Sequence, residues 1–239
     1  MPVTEDRGDV RVYAASAAAF AADAARVARV LGWMSDQERV RYARFRHDRD
    51  RAMFALGREM ARTLVGAATG SAPDAWAWRE GPHGRPEIAH PHTDVHFNLS
   101  HSAGLVVCAI ARGRPVGVDV EDLTRRAPDI AIVSRYCAPA EVDDVRARGS
   151  AWPGRFLIYW TLKEAYLKAR GLGISVHLAD IRFDLSDDGG RARVAFSGTL
   201  AGTDDRWAFE IRRLEPHHLL AVAIDTTDGQ APSLGLRPY

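Results

Sequence analysis

A chain of 239 residues is long enough for one large domain or two small ones. Its composition, with 46% hydrophobic and 26% charged residues, excludes a disordered chain. The net charge of +1 excludes a general attraction to nucleic acid or to an anionic membrane. The sequence contains no signal peptide and no run of about 18 apolar residues, and its two cysteines lack CxxC spacing, so we expect a cytoplasmic protein.

The first half of the chain predicts helices followed by strands. A short strand pattern opens the chain, and an alanine-rich helix follows as far as Gly32. Ser35 and Glu38 have the spacing of a capping box, which predicts the start of the next helix. A long helix is predicted over residues 48–65. Strands are then predicted over 76–79, 95–99, 105–111 and 116–121.

The second half repeats this order of elements. One helix has Pro139 near its start, and a longer helix has Pro153 in its first turn and Gly171 at its end. Strands are predicted over 181–185, 193–197, 207–212 and 218–224. The doubled order predicts an α+β protein with an N-terminal lobe over 1–117, a C-terminal lobe over 118–225 and a loose tail over 226–239.

Two acidic residues lie on one side of a predicted strand. Asp119 and Glu121 are two positions apart, so their side chains point the same way while those of Val116, Val118 and Val120 point the other way. Two carboxylates so close to each other repel unless a cation lies between them, and Mg²⁺ prefers hard oxygen ligands. The alternative is a solvated polar face on an edge strand.

A second group of side chains recurs every four residues on the long helix of the second half. Trp160, Glu164 and Lys168 therefore share one stripe. A glutamate and a lysine at this spacing are often a surface pair worth about 0.2–0.5 kcal/mol. The helix is mostly apolar, however, and charges on a half-buried helix need partners, which a metal and a phosphate would supply. Trp160 is interpreted as a packing residue.

Further candidate phosphate ligands come from the first half. Ser100 and His101 lie where a predicted strand meets a loop, and a rigid turn presents Arg85. Residues 38–62 also contain eight arginines against four acidic residues. A plain polar turn and a solvated helix face are the alternatives. Four clustered histidines at 90, 92, 96 and 101 predict no zinc site, because cysteine ligands are lacking and strand geometry sends the side chains to opposite faces.

Five segments, in order along the chain, resemble those of the Sfp-type 4′-phosphopantetheinyl transferases. They are Gly57-Arg58, Gly84-Arg85-Pro86, the stretch from Phe97 to Ser102, the stretch from Gly117 to Glu121, and the stretch from Trp160 to Lys168. The resemblance implies a pseudo-dimer of two α+β lobes with the active site between them. It also implies transfer of the phosphopantetheine arm of coenzyme A to a serine of an acyl or peptidyl carrier protein, with release of 3′,5′-ADP.

The same resemblance implies roles for individual residues. Mg²⁺, with Mn²⁺ as the alternative, would be held by Asp119, Glu121 and Glu164. Glu164, or a water that it orients, would act as the base, with Lys168 and Asp119 as further catalytic residues. Coenzyme A would be bound by Arg58, Gly84, Arg85, Pro86, Ser100, His101, Asp119 and Lys168.

The resemblance further implies a monomer that serves polyketide, nonribosomal-peptide or fatty-acid carriers, which are usually acidic helical proteins. No nucleic-acid or membrane partner is expected. Two other classes stay open on the residues alone: a non-catalytic module that binds coenzyme A or a carrier, and a metal-dependent hydrolase of nucleotides.

Overall fold

The computed structural model describes residues 9–81, 86–126, 128–173, 176–186, 192–202, 206–226 and 233–239. The helices of these ranges are α1 (Ala17–Ala21), α2 (Ala24–Trp33), α3 (Asp36–Arg44), α4 (Asp48–Thr69), α5 (Val133–Tyr136), α6 (Pro139–Ala147) and α7 (Trp152–Arg170). The strands are β1 (Asp9–Ser16), β2 (Ala77–Glu80), β3 (Pro86–His90), β4 (Val95–Ser102), β5 (Leu105–Arg112), β6 (Val116–Asp122), β7 (Ile181–Leu185), β8 (Ala192–Phe196), β9 (Trp207–Leu214), β10 (His218–Asp225) and β11 (Ser233–Pro238).

The chain divides into two compact units, of which the first comprises Met1–Arg114 and Ser233–Tyr239. Its sheet has the strand order β11-β1-β5-β4, and α4 packs on β4 and β5. Every residue of α4 from Ala52 to Arg62 is buried, so this helix forms the centre of the core. The left-handed Gly70 ends α4, as a glycine can do without steric cost.

The alanine-rich segment is two helices, not the single helix that we expected. The Asp23 side chain accepts a hydrogen bond from the Arg26 amide at 2.9 Å and so caps the start of α2. The predicted capping box of α3 is confirmed, since the Ser35 hydroxyl and the Glu38 carboxylate each accept the other residue's amide proton.

The second unit comprises Pro115–Pro232. Its antiparallel sheet has the order β6-β10-β9, and β7 and β8 form a separate hairpin. The helix α7 packs against β6 and β10, with Leu162, Tyr166 and Leu219 in its fully buried core. Pro153 lies in the first turn of α7 and the left-handed Gly171 ends it, as the sequence predicted.

The α+β prediction is confirmed, and three details differ from the expectation. The units divide after Arg114 rather than after residue 117. The strand β3 was not predicted. The expectation of a loose tail is wrong for residues 233–239, because β11 pairs in parallel with β1 and the Tyr239 amide donates to the Ala14 carbonyl at 3.0 Å. None of the helices in the described ranges combines the length and the apolarity needed to cross a membrane.

Candidate functional site

The strand β6 lies unusually close to α7 because position 117 is a glycine. A Cβ atom on Gly117 would lie 2.0 Å from the Ala165 carbonyl oxygen and 2.4 Å from the Ala169 amide nitrogen. The side of β6 that carries position 117 therefore faces α7. Asp119 and Glu121 share that side of the strand, because side chains alternate along it.

The first contact between the two elements joins Asp119 to Lys168. The Lys168 ammonium donates to Asp119 Oδ1 at 2.6 Å, and the Asp119 side chain is only 7% exposed. Lys168, a predicted phosphate ligand, and Asp119, a predicted metal ligand, thus form an ion pair in this structure.

The second contact joins Glu121 to Trp160. The Trp160 indole N–H donates to Glu121 Oε1 at 2.8 Å, while Arg125 lies 2.7 Å from Glu121 Oε2. Trp160 also packs edge-on against Tyr136, with ring centroids 5.3 Å apart. The interpretation of Trp160 as a packing residue is therefore incomplete, since its polar atom contacts a carboxylate of the site.

Glu164 lies between these contacts on α7 and is half-buried. Its Oε1 atom is buried and has no hydrogen-bond partner among the described residues. Burial raises the pKa of Glu164, and the nearby charges of Asp119 and Glu121 raise it further, against the opposing effect of Lys168. The three carboxylates thus lie close enough to repel one another.

Lys163, the neighbour of Glu164, lies about 100° further around α7 and contacts a different set of groups. Its ammonium donates to Glu141 Oε2 at 2.5 Å, to the Tyr136 carbonyl at 2.9 Å and to the Leu178 carbonyl at 3.0 Å. Glu141 in turn accepts the amide protons of Ala138 and Phe183, both at 2.7 Å. The sequence reasoning missed this pair. The signal was that Lys163 stands at helical spacing among apolar residues, where a solvated lysine is not expected.

In the first unit, Arg58 is buried rather than presented to solvent. Its Nε lies 2.7 Å from Glu38 Oε1, and its guanidinium stacks on the Phe54 ring at 4.3 Å from the centroid. Burial lowers the pKa of Arg58, and Glu38 opposes that shift. Arg62, also paired with Glu38 at 2.7 Å, is only 2% exposed. Two of the eight arginines therefore belong to the core of this unit.

The remaining predicted residues are placed as follows. Ser100 is buried and His101 is exposed, and both lie on β4 opposite Val107 and Val106 of β5. Pro86 is the first residue of β3. Gly84 and Arg85 lie outside the described residues, so their expected roles stay predictions.

The donor set of the second unit fits a divalent cation in chemistry and charge. Three carboxylates supply hard oxygen ligands, and the buried Glu164 oxygen lacks a donor in the described part of the chain. As the side chains are placed, no three carboxylate, histidine or cysteine groups of the described ranges form a metal-binding cluster. In this arrangement Lys168 is paired with Asp119, and Trp160 and Arg125 are bonded to Glu121.

Comparisons with known proteins identify the family of the chain. Residues 115–223 match the 4′-phosphopantetheinyl transferase superfamily, and residues 20–112 match the family described as 4′-phosphopantetheinyl transferase, N-terminal. The chain is 31% identical over 237 residues to a phosphopantetheinyl transferase of Thraustochytrium sp., covering 93% of this chain and 81% of that protein. It is 32% identical over 163 residues to the 4′-phosphopantetheinyl transferase of Bacillus subtilis, covering 67% of this chain and 70% of that protein.

A solved structure gives a partial match. The holo-[acyl-carrier-protein] synthase of Neisseria meningitidis covers 46% of this chain and 96% of its own, with 20% identity and a TM-score of 0.39. The two relatives and the two matching family regions decide the assignment. The chain belongs to the 4′-phosphopantetheinyl transferases of the Sfp type.

Proposed function

We propose that this protein transfers the 4′-phosphopantetheine arm of coenzyme A to a serine of an acyl or peptidyl carrier protein, converting the apo carrier to the holo form. The observation that carries the proposal is the environment of Glu164, whose buried oxygen lacks a partner within the described ranges and whose neighbours are Asp119 and Glu121. Family membership supports the class of reaction.

The three carboxylates of the site are the proposed metal ligands. Asp119, Glu121 and Glu164 would hold Mg²⁺, with Mn²⁺ as the alternative, at the pyrophosphate of coenzyme A. When bound, the metal supplies positive charge that stabilises the charge on the phosphate oxygens during transfer. Since Glu164 is half-buried beside two other carboxylates, a cation held there would also relieve the repulsion among them.

The bond changes of the proposed reaction balance without a further reactant. The carrier serine oxygen attacks the phosphorus that bears the pantetheine arm, and the bond from that phosphorus to the bridging oxygen breaks. The electron pair stays on the leaving 3′,5′-ADP, and the serine proton passes to Glu164. A raised pKa suits this role, because a carboxylate in such surroundings binds a proton more readily than an exposed one. General base catalysis is typically worth about 10²–10⁴-fold in rate.

The positive groups are proposed to bind the phosphates. Lys168, which is 28% exposed and paired with Asp119, would add positive charge beside the carboxylates. Arg58 would keep its ion pair with Glu38 and offer a remaining N–H group, since a guanidinium has five. Ser100 and His101 would add donors. Gly84, Arg85 and Pro86 would lie beside the adenine, by resemblance to the family.

The finer identity of the enzyme is part of the proposal. We expect this protein to be a cytoplasmic monomer with holo-[acyl-carrier-protein] synthase activity. Its substrates would be acidic helical carrier proteins of polyketide, nonribosomal-peptide or fatty-acid assembly. Parallel assays with apo carriers of each kind would rank them.

The test is carrier modification followed by mass spectrometry. The protein is incubated with coenzyme A, Mg²⁺ and an apo carrier, and the same assay is run with E164Q and with the control E210Q. Glu210 lies on β9 and pairs with Arg212, so E210Q repeats the substitution away from the site. We expect a carrier mass gain of one phosphopantetheine arm with the wild-type protein and with E210Q, and a loss of at least about 100-fold in rate with E164Q.

Each other outcome contradicts the proposal in a defined way. Release of 3′,5′-ADP without carrier modification indicates hydrolysis, and coenzyme A binding without either product indicates a binding module. Full activity of a folded E164Q protein would remove Glu164 from the roles of base and metal ligand.

A further inference from the structure

The two oxygens of Glu121 have unlike partners. Oε1 accepts the Trp160 indole N–H at 2.8 Å, and Oε2 lies 2.7 Å from the Arg125 guanidinium. The Glu121 side chain itself is only 13% exposed. This carboxylate is therefore enclosed by one neutral donor and one cation.

The Trp160 partner is fixed in place by its packing. Trp160 lies on α7, and its ring contacts Tyr136 at 5.3 Å and Phe156 at 6.3 Å between centroids. Tyr136 is itself held, because its carbonyl accepts a hydrogen bond from the buried Lys163 ammonium at 2.9 Å. The indole nitrogen can thus hold Glu121 Oε1 at a constant position and add no charge to the site.

The Arg125 partner is different in both respects. Arg125 follows β6 in a turn, its side chain is 46% exposed, and it carries a full positive charge. An ion pair with such an exposed guanidinium contributes little to stability, so a competing cation can replace it at small cost.

We propose that Trp160 is a positioning residue that orients Glu121 for a divalent cation, and that Arg125 occupies Glu121 Oε2 until that cation displaces it. The inference rests on the proposed function, because it takes Glu121 as a metal ligand. Hydrogen-bond donors to metal-ligating carboxylates fix the ligand's orientation, and their loss typically lowers metal affinity about 10–100-fold.

The two contacts predict opposite effects on metal affinity. W160F keeps an aromatic ring in the packed site and removes the N–H donor, so metal affinity falls. R125Q removes the competing charge and keeps a polar side chain, so metal affinity rises. A purely structural role for either residue predicts neither change.

The experiment measures Mn²⁺ binding directly by electron paramagnetic resonance on the full chain without coenzyme A. R126Q is the matched control, because Arg126 is the exposed neighbour of Arg125 and its loss changes the net charge equally. We expect W160F to bind Mn²⁺ about 10–100-fold more weakly than the wild type, and R125Q to bind several-fold more tightly than R126Q. Urea unfolding of W160F checks that it is folded, and W160L, also without a donor, replaces it if it is not.

The outcomes separate this inference from the proposed function. If the wild-type protein binds Mn²⁺ and W160F binds it equally well, the positioning role of Trp160 is wrong while the metal site stands. If R125Q binds no more tightly than R126Q, Arg125 does not compete for Glu121. If the wild-type protein binds no Mn²⁺ but modifies the carrier with Mg²⁺, the proposed metal ligands are wrong, while the proposed transfer reaction stands.

Discussion

Lys163 and Glu164 are adjacent in the sequence and lie in opposite environments. The Lys163 side chain is 1% exposed, and its three ammonium protons meet three oxygens, from Glu141, Tyr136 and Leu178. Glu164 is half-buried and keeps one buried oxygen without a partner among the described residues. A fully paired charge stabilises a scaffold, whereas an unpaired one is a place where a ligand can bind.

The same contrast separates their partners. Glu141 ties α6 to α7 and to β7, since its oxygens also accept the amide protons of Ala138 and Phe183. Asp119 and Glu121 belong to an edge strand and are held by groups that are partly exposed, Lys168 and Arg125. Substitutions on the two sides of α7 should therefore affect different quantities: stability on the Lys163 side and reactivity on the Glu164 side.

The largest effect is expected from K163M. Removing one partner of a buried ion pair leaves the Glu141 charge uncompensated, which typically costs about 3–5 kcal/mol in the free energy of unfolding. Urea unfolding measures the loss. The double variant K163M/E141Q should recover more than half of it, because it leaves no buried charge while the glutamine oxygen can still accept an amide proton. A K163M protein within about 1 kcal/mol of the wild type would show that the pair is not a stabilising contact.

A smaller loss is expected from G117A, which tests the close approach of β6 and α7. The new methyl group would meet the Ala165 carbonyl at 2.0 Å, so strand and helix must separate, at a cost of about 1–3 kcal/mol or more. Transfer should fall as well, because Asp119 and Glu121 would move away from Glu164. G32A is the control, since its added Cβ in α2 would meet no atom within 4 Å beyond its chain neighbours and the local helix backbone, and alanine favours the helix. Equal stabilities of the two variants would contradict the close approach.

The sequence predicted those parts of the structure that depend on local spacing. Capping residues and glycines marked α3 and α7, and spacing placed Asp119 with Glu121 on one side of a strand and Glu164 with Lys168 on one side of a helix. Contacts between distant positions were not predictable in this way. Periodicity tells which side of an element is buried and not which residue lies opposite, so the pairs Lys163–Glu141 and Arg58–Glu38 were missed.

The return of the chain end to the first unit was missed for a related reason. The strand β11 is an edge strand with mostly exposed or half-exposed residues, so its sequence lacks the alternation that marks a buried strand. Its partner β1 lies more than 200 residues earlier in the sequence. Only the tertiary structure brings these two segments together.

A third, smaller effect concerns the free energy of unfolding at acidic pH and the contacts of Asp144, which join α6 to α7. Burial raises the pKa of Asp144, but hydrogen bonds from Arg155, Arg148 and Tyr159 outweigh it and lower the pKa from 3.8 to about 2. A lowered pKa stabilises the folded state above the unfolded value, and this contribution is lost as the pH falls from about 4 to about 2. D144N should therefore cost on the order of 1 kcal/mol near neutral pH, after allowance for partial exposure, and less near pH 2.5.

Urea midpoints at the two pH values measure this difference, and D184N is the control. Asp184 is 61% exposed and pairs with the exposed Arg182, so D184N repeats the substitution at a solvated site. A cost of D144N that does not shrink on acidification would mean that the Asp144 pKa is not lowered.

The smallest effect on stability is expected from E164Q, although its effect on transfer should be the largest of the set. The substitution removes a charge that Asp119 and Glu121 repel and that burial disfavours, so the free energy of unfolding should stay within about 0.5 kcal/mol of the wild type or rise. The urea midpoint is compared with that of E210Q. A gain or no change, together with lost transfer, identifies Glu164 as a residue retained for chemistry at the expense of stability. A loss above about 1 kcal/mol would instead place Glu164 with Lys163, as part of the scaffold, and the contrast between the two sides of α7 would fail.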